Sequence, residues 1–141
     1  MAPIDENTPA SPRESVGQLV AGNAVSVNEK LTLRALAEAL SAADIGAALV
    51  RRDDGRVGIV SERDVTRALA DNADPDAVWA ADIMTEELVT ADVDEAILQV
   101  ALRMIDEGIR HIAVVERDEV VGVVSSRAVF RVFAEDALEG W

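Results

Sequence analysis

The segment from Gly58 to Asp64 holds the residue types best suited to ligand chemistry. It reads Gly-Ile-Val-Ser-Glu-Arg-Asp, an apolar run typical of a buried strand followed by a serine and, three positions later, an acid. Ser61 and Asp64 have the spacing of a helix capping box. The same pair could bind a ligand, because an ionised aspartate can accept hydrogen bonds from both hydroxyls of a ribose. Arg63 could reach a phosphate. Both interpretations stay open on this segment alone.

A related segment stands at 122–128, because the sequence repeats at a spacing of 64 residues without a gap. Apolar positions align with apolar positions, glycine with glycine and serine with serine, which predicts one structural unit duplicated within the chain. Asp64, however, aligns with Ala128. We therefore expect the two copies to share a scaffold but not a ligand chemistry. Aligned pairs include Leu33 and Ile97, Leu40 and Met104, Gly58 and Gly122, Ser61 and Ser125, and Arg63 and Arg127.

Hydrophobic periodicity predicts the order β-α-β-β-α in each copy, and hence an α/β (α+β) fold. The first copy has predicted strands at 24–27, 47–51 and 57–60 and predicted helices at 31–43 and 61–70. The second has predicted strands at 89–91, 111–115 and 120–124, a helix at 96–107 and a last helix from Ser125 or Ser126 towards Ala137. The predicted helix boundaries are an N-cap at Ser26 or Asn28, stops at Gly46 and Gly108, and a capping box of Asp92 with Glu95.

The predicted sheets are short and each helix has one apolar face, so neither copy encloses a core by itself. A unit of this length alone would bury only about 60% of its unfolded surface. Packing two copies sheet to sheet about a pseudo-twofold axis removes this difficulty. The predicted divisions are a disordered N-terminal arm at 1–14, a first motif at 15–72, a linker at 73–78, a second motif at 79–137 and a tail at 138–141.

Composition excludes several classes of function. The net charge of −14 disfavours nucleic acid and anionic membranes as partners. There is no cysteine and one histidine, His111, which argues against thiolate or histidine metal sites and a cysteine nucleophile. The acidic linker lacks the glycine and glutamate of an EF-hand, so no metal site is predicted. No signal sequence or membrane-spanning run is evident, which favours the cytoplasm.

A tandem β-α-β-β-α repeat with Gly-Ile-Val-Ser-x-x-Asp after its second hairpin strand resembles a cystathionine-β-synthase (CBS) domain pair, also called a Bateman module. The segments Asp82–Thr85 and Arg110–Val115 resemble two further signatures of that family. The resemblance extends from about Val16 to Phe133. The family usually has proline where this chain has Ala113, a mild departure.

The resemblance implies a regulatory module for an adenosine-containing ligand, such as AMP, ADP, ATP or S-adenosylmethionine, with no catalytic cofactor. By position, Asp64 would hold the ribose diol, and Ser61 would contact ribose or phosphate. The other copy would supply an apolar slot for adenine and a cationic side for phosphate. The residues implied for this first cleft are Ser61, Arg63, Asp64, Ile83, Met84, Ile109, Arg110 and His111.

A second, degenerate cleft would comprise Leu19, Val20, Ile45, Gly46 and Ser125. Here Ala128 cannot accept ribose hydroxyls, and Gly46 stands where the first cleft has Arg110. We expect this cleft to be empty or weak, because losing two charge-assisted contacts costs on the order of 3 kcal/mol, over a hundredfold in affinity.

The implied partners are a second copy of the chain and an unidentified protein target. Apolar residues off the core stripe of the first helix of each copy could form the homodimer contact: Ala35, Ala39, Leu98, Leu102 and Ile105. A ligand-free module for dimerisation or protein interaction is the alternative. An enzyme is not expected, because no nucleophile and base are paired. Met104 is expected in the core, Met84 in the core or the cleft, and Trp79 over the cleft mouth.

Overall fold

The computed structural model describes residues 11–20 and 25–140. Their contacts divide the chain into two compact units. Of the described residues, 25–88 form one, which we call the central unit. Residues 11–20 and 89–140 form the other, which we call the terminal unit because it combines the first and last described parts of the chain. The compact units therefore differ from the sequence repeats, since the segment that precedes each repeat belongs to the unit of the other one.

The central unit is a three-stranded sheet with helices. Its strand order is β1-β2-β3, with β1 parallel to β2 and β2 antiparallel to β3. Its core consists of aliphatic side chains from the helices and the sheet, such as Leu36, Val50 and Val60. In chain order the elements are β1 (Ser26–Asn28), α1 (Leu33–Ala43), β2 (Ala47–Arg51), β3 (Val57–Ser61), α2 (Glu62–Ala70) and α3 (Ala80–Ile83).

The terminal unit has the same topology, with strand order β4-β5-β6. Met104 lies in its core beside Ile97 and Val100, as predicted. The predicted α/β class and the repeated order β-α-β-β-α are confirmed. After a 3₁₀ turn (Val16–Leu19), the elements are β4 (Thr90–Asp92), α4 (Ile97–Glu107), β5 (His111–Glu116), β6 (Glu119–Ser125) and α5 (Ser126–Glu139). No helix in the described ranges is both long and apolar enough to cross a bilayer.

Both predicted boundaries of α1 need correction. The cap of α1 is Thr32, whose Oγ1 accepts from the Ala35 amide at 3.2 Å, and not Ser26 or Asn28. The helix starts later because Thr32 is extended and forms a bridge with Trp79. It ends at Asp44, a left-handed residue with φ 52°, and not at Gly46. An aspartate tolerates this conformation better than most side chains.

Gly108 ends α4 with φ 65°, as predicted. The predicted capping box of Asp92 and Glu95 is wrong as a helix cap, because α4 starts only at Ile97. The two acids form a turn instead. The Asp92 amide donates to Glu95 Oε2 at 2.8 Å, and Asp92 Oδ1 accepts from the Asp94 amide at 3.1 Å.

Backbone carbonyls from a segment distant in sequence cap the first helix of each unit. In the terminal unit, the Ile97 and Leu98 amides donate to the carbonyls of Glu14 and Pro12, at 2.9 Å each. Residues 11–14 of the predicted disordered arm thus supply two acceptors to α4, and the rest of the predicted arm lies outside the described residues. In the central unit, Leu33 and Arg34 amides donate in the same way to the linker carbonyls of Val78 and Pro75, at 2.8 and 2.9 Å. These bonds satisfy helix amides that otherwise lack partners.

Glu95 and Arg103 form an ion pair that should make stability depend on pH. Arg103 and the Asp92 amide donate to the Glu95 carboxylate and hold its pKa below the ordinary value. A carboxylate whose pKa is lower in the folded than in the unfolded state stabilises the folded protein at pH values above the unfolded-state pKa. This contribution is lost as the pH falls through the folded-state pKa. We expect Glu95→Gln to cost about 0.5–1.5 kcal/mol at pH 7. Urea denaturation from pH 7 down to pH 3 should show this difference shrink.

The matched control is Glu135→Gln, because Glu135 is exposed on α5 and pairs with no described side chain. This control should shift the free energy of unfolding by no more than a few tenths of a kcal/mol. A Glu95→Gln difference that stayed constant over the whole pH range would contradict the ion-pair explanation.

Candidate functional site

The start of α2 is the predicted capping box, built from Ser61 and Asp64. The Ser61 amide donates to Asp64 Oδ2 at 2.8 Å, and the Asp64 amide donates to Ser61 Oγ at 3.2 Å. The Ser61 hydroxyl also donates to Asp64 Oδ2, at 3.0 Å. The helix forms here because β3 ends at Ser61 in an extended conformation and two acids favour the positive end of the helix. The capping interpretation is therefore confirmed.

Capping uses only one of the two oxygens of Asp64. All hydrogen bonds to this carboxylate from described residues go to Oδ2, which leaves Oδ1 able to accept from a ligand. The side chain is half-buried, and so it is neither enclosed by packed neighbours nor fully solvated. A carboxylate held in one orientation by its own helix is a preorganised acceptor for hydroxyl donors.

The amides of the same helix turn are mostly used within the protein. The Glu62 amide donates to the Gly46 carbonyl at 2.9 Å, and the amides of Ser61 and Asp64 are paired as described above. A phosphate at this helix start would find few backbone donors. The side chain of Arg63 is exposed and forms no ion pair with any described residue. The chemistry offered here therefore suits a sugar hydroxyl better than an anion.

A second chain segment lies against the strand that leads to Ser61. We call residues 79–86 the lead segment of the central unit. Thr85 and Ile59 exchange backbone hydrogen bonds of 2.8 and 3.0 Å. Gly58 permits this approach, since a Cβ there would lie 2.7 Å from the Met84 sulfur and 2.8 Å from the Thr85 carbonyl oxygen. Ile83 and Met84, both predicted for the site, are partly buried against the core of this unit.

The hairpin register determines which β2 residues lie beside Ser61. Ser61 pairs with Ala47 across the antiparallel strands, and the Glu62 amide bonds to the Gly46 carbonyl. Ile45 and Gly46, which were assigned from the sequence to the degenerate site, therefore lie in the same unit as Ser61, Asp64, Ile83 and Met84. Within this unit they lie beside Ser61, because an antiparallel hairpin brings the start of its first strand to the end of its second. Their assignment to the second cleft stays a prediction.

The same register governs the terminal unit. Ser125 pairs with His111, and the Ser126 amide donates to the Arg110 carbonyl at 2.7 Å. Arg110, Ile109 and His111 therefore accompany Ser125 in this unit instead of sharing a unit with Asp64. The remaining members of the degenerate site are here too: Leu19 and Val20 pack against the core, and Val20 lies on Gly122 as Met84 lies on Gly58.

The start of α5 keeps the cap but not the acid. Ser125 Oγ accepts from the Ala128 amide at 3.1 Å, and the methyl group of Ala128 offers no acceptor. The fold therefore does not require an aspartate at this position of the helix.

Trp79, predicted over a cleft mouth, is 43% exposed, and the Lys30 ammonium lies 6.0 Å from its ring centroid. Within the described ranges, no group of three or more potential metal ligands comes together.

Comparison with known proteins places these features in a family. The CBS domain family model matches the chain twice, at residues 16–71 and 80–135. The chain is 26% identical over 133 residues to the uncharacterized protein MJ1225 of Methanocaldococcus jannaschii. That alignment covers 94% of this chain but 47% of the relative, so the chain spans about half the length of that protein.

Two solved structures resemble the chain closely in fold. The CBS domain protein PAE2072 of Pyrobaculum aerophilum, complexed with AMP, has a TM-score of 0.76 and 30% identity. That match covers 88% of this chain and 98% of that one. The CBS domain pair of protein MJ0100, in complex with 5′-methylthioadenosine and S-adenosylmethionine, has a TM-score of 0.74 and 26% identity, and covers 84% of this chain and 98% of that one.

Gly58→Ala should test the close approach of the lead segment. The added methyl group would meet the Thr85 backbone, which must move away from β3. We expect a loss of about 1–3 kcal/mol in the free energy of unfolding, measured by chemical denaturation. Gly140→Ala is the matched control, because its nearest non-neighbouring atom lies at 3.6 Å. Equal stability of the two variants would argue against the packing described for Met84 and Thr85.

Proposed function

Because the chain belongs to the CBS domain family, with two consecutive CBS domains, we propose that it is a regulatory module that binds an adenosine-containing ligand. We assign the ligand to the central unit, where Asp64 would accept hydrogen bonds from the ribose. The single observation that carries this proposal is the divided role of the Asp64 carboxylate. Oδ2 is occupied by the helix cap, and Oδ1 is left without a donor from the described residues.

The ligands of the two related structures support the same assignment. AMP, 5′-methylthioadenosine and S-adenosylmethionine, which those proteins bind, differ at the 5′ position but share an adenosine with a ribose diol. A carboxylate that recognises the diol would serve all three. Ile45, Ile83 and Met84 supply apolar surface of the kind that an adenine ring requires. No catalytic role is proposed for any of these residues.

We propose that the protein signals to a partner protein and that it does so as a homodimer. Support for dimerisation comes from the exposed face of α4, where Leu98, Leu102 and Ile105 are 44%, 53% and 74% exposed. Exposed apolar side chains at helical spacing are typical of an association surface. A ligand would change the output only if it bound one state of the protein more tightly than another.

The same apolar face favours the alternative function, a module that only mediates protein interaction. Thermal denaturation with AMP, ADP, ATP, S-adenosylmethionine and 5′-methylthioadenosine separates the two proposals. A ligand at a hundred times its Kd stabilises the folded state by about 2.7 kcal/mol. The absence of any shift at millimolar concentrations of all five compounds would favour the interaction module.

Asp64→Asn should weaken ligand binding without removing the helix cap. An asparagine oxygen can still accept from the Ser61 amide, but the charge that strengthens hydrogen bonds to the ribose is lost. We expect AMP or 5′-methylthioadenosine to bind about ten- to a hundredfold more weakly in isothermal titration calorimetry. The loss should disappear with 2′,3′-dideoxy-AMP, which has no diol.

Thr32→Ala is the stability control for this experiment. It removes the cap of α1 in the same unit and should cost about 1 kcal/mol of folding stability. Because Thr32 lies outside the proposed site, the Kd should not change. An Asp64→Asn loss that was equal for AMP and its dideoxy analogue would contradict recognition of the ribose.

Ala128→Asp should introduce the missing acid at the start of α5. The new carboxylate would stand three residues after Ser125, with the spacing found in the central unit. We expect the calorimetric stoichiometry to rise from one ligand per chain towards two. Unchanged stoichiometry, with a folded variant of normal stability, would show that an aspartate alone does not create a ribose site on this scaffold.

A further inference from the structure

A network of three charged residues joins distant parts of the central unit. Arg52 Nε donates to Glu86 Oε1 at 2.6 Å, and Arg52 Nη2 also contacts this oxygen. Arg52 Nη1 donates to Glu29 Oε2 at 3.0 Å. The side chains of Arg52 and Glu29 are only 24% and 14% exposed, whereas Glu86 is 45% exposed. This burial distinguishes the network from ordinary surface ion pairs, which contribute little.

The network connects the hairpin to the end of the lead segment. Arg52 follows β2, and Glu86 follows Thr85, the residue that is paired with Ile59. Glu29 extends the connection, because its Oε1 accepts from the Asp53 amide at 3.1 Å. Its backbone carbonyl accepts from the Ala81 amide at 3.0 Å, at the other end of the lead segment. Both ends of residues 81–86 are therefore tied to the region around Glu29 and Arg52.

Apart from the packing of Ile83 and Met84 just before it, the pairing of Thr85 with β3 has little other support. It is an isolated bridge of two backbone hydrogen bonds and not part of a longer strand. Thr85, Glu86 and Glu87 are exposed, so few apolar contacts hold this stretch in place. A bridge of this kind opens easily unless neighbouring side chains restrain it. Of the described side chains, only Arg52 forms an ion pair with a residue of the lead segment adjoining that bridge.

The second copy lacks all three members of the network. The aligned positions hold Glu116 for Arg52, Val93 for Glu29 and Gly22 for Glu86. None of these three residues is a cation, so they cannot form an equivalent network of ion pairs. The network is thus present in the copy that has Asp64 and missing in the copy that has Ala128. Scaffold requirements common to both copies do not account for this difference.

We propose that Arg52 is a positioning residue for the ligand site, which holds Met84 and Thr85 against β3 next to Asp64. The ligand part of this inference rests on the proposed function, whereas the restraint of the lead segment does not. Arg52 itself does not need to touch the ligand. Its removal would let the lead segment detach, and the apolar side of the site would lose its fixed position.

Hydrogen–deuterium exchange on the ligand-free protein tests the restraint. We expect Arg52→Met to speed exchange of the Thr85 and Ile59 amides by roughly tenfold, with Arg52→Lys in between. Arg34→Met is the matched control, because Arg34 forms a two-pronged ion pair with Asp76 in the same unit but away from β3. Exchange at Thr85 that was no faster in Arg52→Met than in Arg34→Met would overturn the inference.

Titration with 5′-methylthioadenosine tests the effect on the site. This ligand carries no net charge near neutral pH. Salt should therefore change its affinity mainly by weakening ion pairs within the protein. Arg52→Met should weaken binding about three- to tenfold, with partial rescue by Arg52→Lys, and should remove most of the salt dependence of Kd. Faster exchange at Thr85 with an unchanged Kd would overturn the positioning role. If the wild-type protein bound no adenosine compound, the proposed function would fail, and exchange alone would decide whether Arg52 restrains the lead segment.

Discussion

The constraint on which both units depend is the close approach of an incoming chain segment to a glycine in the return strand of a hairpin. Gly58 and Gly122 occupy this position, under Met84 and Val20 respectively. Any side chain there would occupy the space of the incoming segment. In the central unit the approach pairs Thr85 with the edge strand β3, and carbonyls within or just before the incoming segments cap the first helices. Local sequence forms the hairpins and helices, but these contacts complete the cores.

At the start of α2, structure and proposed function share one side chain. Asp64 stabilises the helix through Oδ2, and the same bonds fix the direction in which Oδ1 points. Ser125 shows that the cap works without an acid, so the acid is an addition to the cap and not a condition for it. Hydrogen bonds within its own helix turn restrain this carboxylate, which lowers the conformational-entropy cost of binding a ligand.

Sequence patterns predicted the helices and strands, but they did not predict how these elements and the incoming segments pack together. Alternating and helical periodicities predicted the two copies of β-α-β-β-α, and the spacing of Ser61 and Asp64 predicted their cap. The cap at Thr32 was missed because an extended contact with Trp79, distant in sequence, delays the helix. Hairpin register places Arg110 beside Ser125, and this neighbour could be predicted from the sequence; its assignment to the site of Asp64 stays a prediction. Arg52, Glu29 and Glu86 carried no sequence signal, because ion pairs between three separate elements leave no periodic pattern.

Each incoming segment belongs to the unit built on the other repeat, and this arrangement has an evolutionary consequence. Residues 11–20 complete the unit built on the later repeat, and residues 79–86 complete the one built on the earlier repeat. A half-length ancestor with one repeat would have had a sheet whose closing segment came from another molecule. It would have been obliged to associate with itself before its gene was ever duplicated. Joining two copies in one chain would make that association intramolecular, and positions 64 and 128 could then carry different residues, as they do here.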